Sequence, residues 1–351
     1  MGDAKLIGIW PLLDAPGVAS FPKTQGDPGK LQLGGFSGLC CQGERDGVFT
    51  LVSISDRGPN KDPIPVPGET RSLRPFVFPS FIPEILITTW SAAQGWRYSS
   101  RVPLTWSESS LKTSYATGLP NSPDDEAPVA NDGTPLKLDP RGLDPEGIVL
   151  QDDHYWIVEE YGPSILKIDL NGKILKRWIP QQSTNREGIR DLPAALGARA
   201  VNRGFEGVAL VGTKLYAFLQ SPLAPATDEI KVLIWDTKSE SSLGLASYLL
   251  HDPKANKIGD VTSMADGRLL VLEQDGKTTP DALRKIFVWN PESGAKTLVA
   301  DLSKAGYVGR EKVEGLVLLG QDRLAIVSDN DYGLKNDTPS ELALFEIRIS
   351  P

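Results

Sequence analysis

A chain of 351 residues with a formal net charge of −8 and no block rich in Lys and Arg lacks the electrostatic footprint of a nucleic-acid binder. No apolar run approaches the about 20 residues that span a bilayer, and the N-terminus does not open with the basic-then-apolar order of a secretory leader. With 40% hydrophobic and 23% charged residues the chain can build a core, and its 34 Gly and 28 Pro are scattered between short apolar runs, the punctuation of an all-β chain.

In chain order, the first expected element is a strand at Lys5 to Trp10, which has no partner close in sequence. Ser37-Gly38-Leu39 then opens a strand that passes through Cys40 and Cys41. Adjacent Cα atoms lie about 3.8 Å apart, too close for ordinary disulfide geometry, so these two are expected to stay free thiols on opposite faces. A second strand runs from Phe49 to Asp56, and further strand regions fall at Arg74 to Trp90 and Trp96 to Trp106. The polar stretch 107–140 that follows, rich in Asn, Asp and Pro, is too long for a neutral connector and is expected to be a functional loop or a mobile insertion.

From there the chain repeats itself. Glu146-Gly147-Ile148, Glu206-Gly207-Val208, Asp260-Val261 and Glu314-Gly315-Leu316 each open an apolar strand, about 54 to 60 residues apart, which is a propeller-blade period with generous loops. Each opening leads through a turn to a second apolar strand, at Tyr155 to Glu160, Leu215 to Gln220, Leu269 to Glu273 and Leu324 to Asp329. These are nearly continuous apolar runs, as expected of strands buried on both faces. Third and fourth strands follow in most units, and a second long loop covers 181–203. The last unit has only three strands before the chain ends, so Lys5 to Trp10 is expected to supply its fourth and close the ring. The expected fold is a single β-propeller over residues 1–351, with five four-stranded blades by count and six as the alternative. Both long loops are expected to wall a pocket at one end.

In a propeller the innermost strands line a central channel, so a residue repeated at the start of each becomes a ring. Here it comprises Ser37, Glu146, Glu206, Asp260 and Glu314. Four carboxylates converging within a few ångströms raise one another's pKa strongly unless something positive sits among them. A hard cation answers that need, and calcium, which accepts six to eight oxygens, suits a ring of acids better than magnesium; with two histidines in the chain, zinc is poorly served. The competing reading pairs the acids with nearby Arg141, Arg203 and Lys312. A second acidic series, Asp56, Glu159, Glu160, Glu273, Asp275, Asp329 and Asp331, ends the second strands and is expected at the rim.

Other signatures fail. Gly35-Phe36-Ser37-Gly38 is not a nucleophile elbow, no HExxH or P-loop is present, and Asp329 to Ser340 lacks the Gly and Glu of an EF-hand. His154 and His251 sit in turn contexts, which argues against a Ser-His-Asp hydrolase.

The stretches Ser55-Asp56-Arg57-Gly58-Pro59-Asn60, Thr117-Gly118-Leu119-Pro120-Asn121, Gly142-Leu143-Asp144-Pro145-Glu146-Gly147, Glu159-Glu160-Tyr161-Gly162-Pro163-Ser164, Asn202-Arg203-Gly204-Phe205-Glu206-Gly207 and Lys312-Val313-Glu314-Gly315-Leu316, taken in order, resemble the phytase-like (esterase-like activity of phytase) family of β-propellers. The resemblance covers roughly 34–330. It implies a calcium-dependent hydrolase of phosphate esters. In that reading Glu160 or Asp56 activates water, Arg57 and Arg203 stabilise the reacting group, and Arg141, Lys312, Tyr161 and Asn202 contact the substrate. Two other readings stand beside it: a non-catalytic propeller in which structural calcium supports ligand or protein binding, and a metal-dependent lactonase or carboxylesterase. The expected partner is a small (phospho)ester, with no nucleic acid and no membrane, and the expected form is a soluble monomer. Its setting is periplasmic or extracellular where an export signal has been removed, otherwise cytoplasmic.

Overall fold

A computed structural model describes residues 4–16, 31–69, 71–109, 112–335 and 338–349. The architecture is all-β, with 3-10 turns as the helical segments among the described residues. The first sheet contains Phe36–Arg45, Val48–Ser55, Glu84–Ser91 and Gly95–Pro103. The second begins with Pro145–Gln151, His154–Glu159, Ser164–Asp169 and Lys173–Pro180. The third holds Phe205–Val211, Lys214–Leu219, Glu229–Asp236 and Ser241–Leu249, and the fourth Lys257–Ser263, Leu269–Gln274, Arg284–Trp289 and Lys296–Asp301. The fifth combines Val313–Leu319, Arg323–Ser328 and Glu341–Glu346 with the N-terminal strand Lys5–Pro11, which pairs antiparallel with Glu341–Glu346.

The expected count of five, or six, four-stranded blades needs correction. Four sheets have the four-stranded form, whereas the second is a seven-stranded sheet. Two of its extra strands come from the stretches expected to be loops, and the third begins in the expected strand region Trp96 to Trp106 and runs into the first of them. Thr105–Ser109 pairs parallel with Lys173–Pro180 and continues into Lys112–Tyr115, while Ile189–Leu192 adds on the same outer strand. The Thr, Trp and Tyr in that first pair favour extended backbone even inside a polar stretch. A separate parallel pair joins Leu73–Phe76 to Ala127–Ala130. Residues 110 and 111 of the first expected loop lie outside the described residues.

Burial explains the arrangement. Apolar clusters fill the spaces between neighbouring sheets: Ile54, Ile85, Ile148 and Ile157 between the first and second, and Trp178, Phe205, Phe218, Trp235 and Val271 across the second to fourth. Ile286, Leu316 and Phe345 pack between the fourth and fifth sheets, and Phe36, Leu51, Trp96, Val327 and Leu342 between the fifth and first. Each sheet therefore buries both faces, which is why the second strands read as continuous apolar runs. No described helix is long and apolar enough to cross a membrane.

Candidate functional site

Register produces the site. In the first strands of the second, third and fifth sheets the pairing slips by one residue, between Pro145 and Gly147, Phe205 and Gly207, and Val313 and Gly315. The extra residues are Glu146, Glu206 and Glu314. A bulged residue is released from the ladder and re-aimed, and these three turn toward the channel. The glycine after each acid has a steric cause. A Cβ on Gly147 would lie 3.2 Å from the Gly207 Cα, one on Gly207 2.9 Å from the Val261 nitrogen, and one on Gly315 2.9 Å from the Gly38 carbonyl. The Glu-Gly pair thus aims a carboxylate and lets the next strand approach.

A cavity of about 450 Å³ opens over these acids, lined by Ser37, Asp56, Arg57, Glu146, Glu160, Asn202, Arg203, Glu206, Lys312 and Glu314 among the residues expected at a site. Three expected site residues lie elsewhere. In the fourth sheet Ile258 pairs with Glu273 as Phe205 does with Leu219, so Gly259 holds the position of the bulged acids and Asp260 that of their glycine. Asp260 is buried and accepts the Leu316 N–H at 2.8 Å instead of lining the cavity. Tyr161 is buried, its hydroxyl donating to the Gly118 carbonyl at 2.6 Å. Arg141 sits 4.0 Å from Glu187 outside the cavity lining.

The loop roles also change. None of the described residues of 107–140 lines the cavity; its wall includes Asn60, Asp62, Pro63 and Arg74, and from 181–203 only Asn202 and Arg203. Residues expected on an open loop are buried ion-pair anchors. Glu126 receives two hydrogen bonds from Arg74, at 2.7 and 2.5 Å. Asp125 pairs with Arg186 at 2.8 Å and with Arg199, so it ties the two long segments together. Burial pushes the Asp125 carboxyl up to about 6 despite both arginines.

The electrostatics divide the channel in two. On one side, one carboxylate oxygen from each of Asp144, Glu146 and Glu160 lies within 4.8 Å of the other two. Glu160 is oriented by Asn202 at 2.6 Å and Gln220 at 2.7 Å, with Arg203 at 3.4 Å. Asp144 Oδ2 is buried and lacks a hydrogen bond, although Arg57 stands 3.2 Å away in ion-pair range. Burial, then Asp144, Glu206 and Glu160, push Glu146 well above the usual carboxylate range. Burial likewise raises Asp144 against the pull of Arg57. On the other side Lys257 Nζ lies 3.7 Å from Glu206 and 3.5 Å from Glu314, with Lys312 3.2 Å from Glu314. Burial pushes Glu314 up, but the two ammonium groups outweigh it and leave the group below its ordinary value.

Beside the triad, Asp56 Oδ1 accepts the Gly58 N–H at 2.8 Å and the Tyr332 hydroxyl at 2.7 Å, and burial raises its pKa. Asp329 accepts the Gly35 N–H at 2.8 Å and is pushed well up by burial and by Asp331 and Asp56. Arg57 is committed within the protein, to Asn202 at 2.8 Å, Glu126 at 3.3 Å and Asp144. Arg203, by contrast, keeps 45% of its side chain exposed at the cavity.

The family model described as Phytase-like, esterase-like activity of phytase, matches residues 31–332. The chain belongs to the phytase-like family. No curated protein matches it. Among solved structures it is similar to a luciferin-regenerating enzyme, at 11% identity over 90% of this chain and 93% of that one, with a TM-score of 0.42. An α-L-arabinofuranosidase from Clostridium thermocellum shows 12% identity over 83% and 81%, TM-score 0.41. One from Podospora anserina in complex with cellotriose shows 9% identity over 97% of each chain, TM-score 0.41. Likeness at that level carries no argument about chemistry.

Within this phytase-like chain, sequence reasoning missed Asp144, Lys257 and Gln220. Asp144 had a signal, since it stands two residues before Glu146 inside the family motif. Lys257 had one too: the order Gly259-Asp260-Val261 breaks the Glu-Gly-aliphatic rule and marks the fourth sheet as different.

Proposed function

We propose that the protein is a calcium-dependent hydrolase of phosphate esters, with the ion held by Asp144, Glu146 and Glu160 and the substrate in the cavity above them. The observation that carries this reading is the convergence of three carboxylates within 4.8 Å, one of them with a buried oxygen that makes no hydrogen bond. Hard oxygen donors of this kind fit calcium. When bound, the ion would neutralise charge on a phosphate and polarise its P–O bond.

The chain's own residues supply the rest. Arg203, exposed at the rim, and Lys312, held protonated by Glu314 and by Asp331 and Asp329, offer positive charge to an anionic group. Asp56 is the group suited to take a proton from water. Both its hydrogen bonds fall on Oδ1, which leaves Oδ2 as an acceptor, and its raised pKa moves it toward the range where a general base works at neutral pH. Asn202 and Gln220 fix Glu160 and keep the acid side rigid. Glu160 is thereby assigned to holding the ion and Arg57 to holding Asp144, in place of the roles in water activation and transition-state contact that the sequence suggested.

The test is phosphate release from aryl phosphates, nucleotides and inositol phosphates, with calcium and with chelator. Calcium-dependent release that D56N abolishes while calcium affinity stays unchanged supports the assignment. No release from any of the three classes means the reading should be abandoned. An ester panel run alongside separates it from a lactonase or carboxylesterase.

A further inference from the structure

The fourth sheet occupies its place in the ring with a glycine, and the side chain found there belongs to Lys257. A Cβ on Gly259 would fall 2.6 Å from Gln274 Nε2 and 2.9 Å from the Val313 carbonyl, so that position cannot carry an acid like those of its neighbours. Lys257 lies two residues earlier, on the same side of the strand, and its ammonium reaches both Glu206 of the third sheet and Glu314 of the fifth. The side chain is 15% exposed, so this is a desolvated contact and not a surface pair.

A second ring position varies in step. The residue after the second-strand partner of Phe36, Pro145, Phe205, Ile258 and Val313 is, in the order of the sheets, Asp56, Glu160, Gln220, Gln274 and Asp329. Acids stand here in the first, second and fifth sheets, and neutral amides in the third and in the fourth, the sheet of Lys257 itself. Gln220 bonds both Glu160 and Glu206, which places it on the boundary between the two sides.

We propose that Lys257 is a built-in counter-cation that does between Glu206 and Glu314 what a metal ion does between Asp144, Glu146 and Glu160, and so limits the channel to a single ion. This rests on the metal reading above for the first ion only. With Lys312 also on Glu314, the fixed ammonium balances the two acids without coordination chemistry, and it denies the third-to-fifth-sheet side of the channel to any divalent cation.

The experiment is to count calcium ions bound to the full chain, by equilibrium dialysis and by calorimetry, in the wild type, K257M, K257Q and the double variant K257M/E206Q. The expected result is one ion in the wild type and two in K257M and K257Q, the second weaker because Lys312 remains on Glu314, with a return to one in the double variant. Melting curves give a second readout: calcium raises the melting temperature of K257M by more than that of the wild type, since two ions stabilise it. The absolute count in the wild type tests the first site, and the difference between wild type and variant tests the lysine. A wild type that binds none refutes the first site alone. Equal or lower counts in both lysine variants, or a second ion that survives E206Q, overturns the proposal. Should K257M fail to fold without calcium, recovery of a folded state on adding calcium supports it, and failure to recover in both lysine variants refutes it.

Discussion

Replacing Glu146 by Gln should have opposite effects with and without calcium. Three carboxylates within 4.8 Å repel one another, and at an effective dielectric constant of about 20 each ionised pair at that separation costs about 3.5 kcal/mol. Proton uptake and Arg57 relieve part of this, so removing the Glu146 charge should stabilise the calcium-free protein by about 1–3 kcal/mol. Unfolding entropy of about 2.1 cal/mol/K per residue gives roughly 0.7 kcal/mol/K for a chain of this length, so the melting temperature rises by about 1–4 °C in chelator. With calcium the sign reverses. The wild type at about 100 times its Kd gains about 2.7 kcal/mol, or about 4 °C, and E146Q, which lacks one charged donor of three, loses most of that gain. Differential scanning calorimetry in chelator and in excess calcium reads both. An E146Q variant less stable than wild type in chelator refutes the repulsion argument. One with an undiminished calcium response refutes Glu146 as a ligand.

Three further outcomes follow from the same geometry. G207A places a Cβ 2.9 Å from the Val261 backbone nitrogen, where no side chain can give way, and should cost about 1–3 kcal/mol in denaturant unfolding; a neutral result would show that the sheets are not held at that approach. R57A strands Asp144 without its guanidinium, while Glu126 keeps Arg74, and should destabilise by about 3–5 kcal/mol; R203M, losing an exposed side chain at the rim, should leave the melting temperature unchanged and raise KM for an anionic substrate. Stability in chelator should fall as pH rises: Asp144 and Glu146 have pKa values raised above the unfolded ones, so the native state binds more protons across the window that opens near pH 4 and extends upward. Calcium, which competes with those protons, should stabilise most at the upper end; a melting temperature in chelator that climbs from pH 5 to pH 8 contradicts this.

The repeat made the architecture legible because its physical cause is local. A Glu-Gly-aliphatic opening encodes a bulge that turns one carboxylate inward and a missing Cβ that lets the next strand close in, so three of the four expected ring acids could be placed from sequence. Asp260 could not, because spacing was read where register decides. Ile258 and Val261 keep the register of Phe205 and Val208, so Gly259 takes the bulged position and the acid falls one place later, where the other sheets have glycine. The strands in 107–140 and 181–203 were missed for a related reason: they extend the outer edge of the second sheet beyond its four-stranded repeat, Ile189–Leu192 by parallel pairing with Lys173–Pro180 and Lys112–Tyr115 by pairing with Thr105–Ser109, which itself joins a strand far off in the chain. The burial of Asn121, Asp125 and Glu126 was equally out of reach, since Arg74, Arg186 and Arg199 meet them only in the folded chain.

The same contrast bears on how an acidic channel is held together. Four carboxylates at an axis need compensation, and the sequence alone suggests a single answer applied to all of them. The structure uses two. Where the second sheet contributes an acid at both ring positions, with Asp144 added, Arg57 and Arg203 stand to the side and the carboxylates are left facing one another, which is the condition for a divalent cation to bind with gain. Where the fourth sheet contributes a glycine, and it and the third carry amides at the second position, a lysine reaches into the gap and the acids are already paired. A symmetric ring would offer an ion no preferred side. The break in symmetry sets Asp144, Glu146 and Glu160 on one side of the channel, where Asp56 and Arg203 line the same cavity as Glu146 and Glu160.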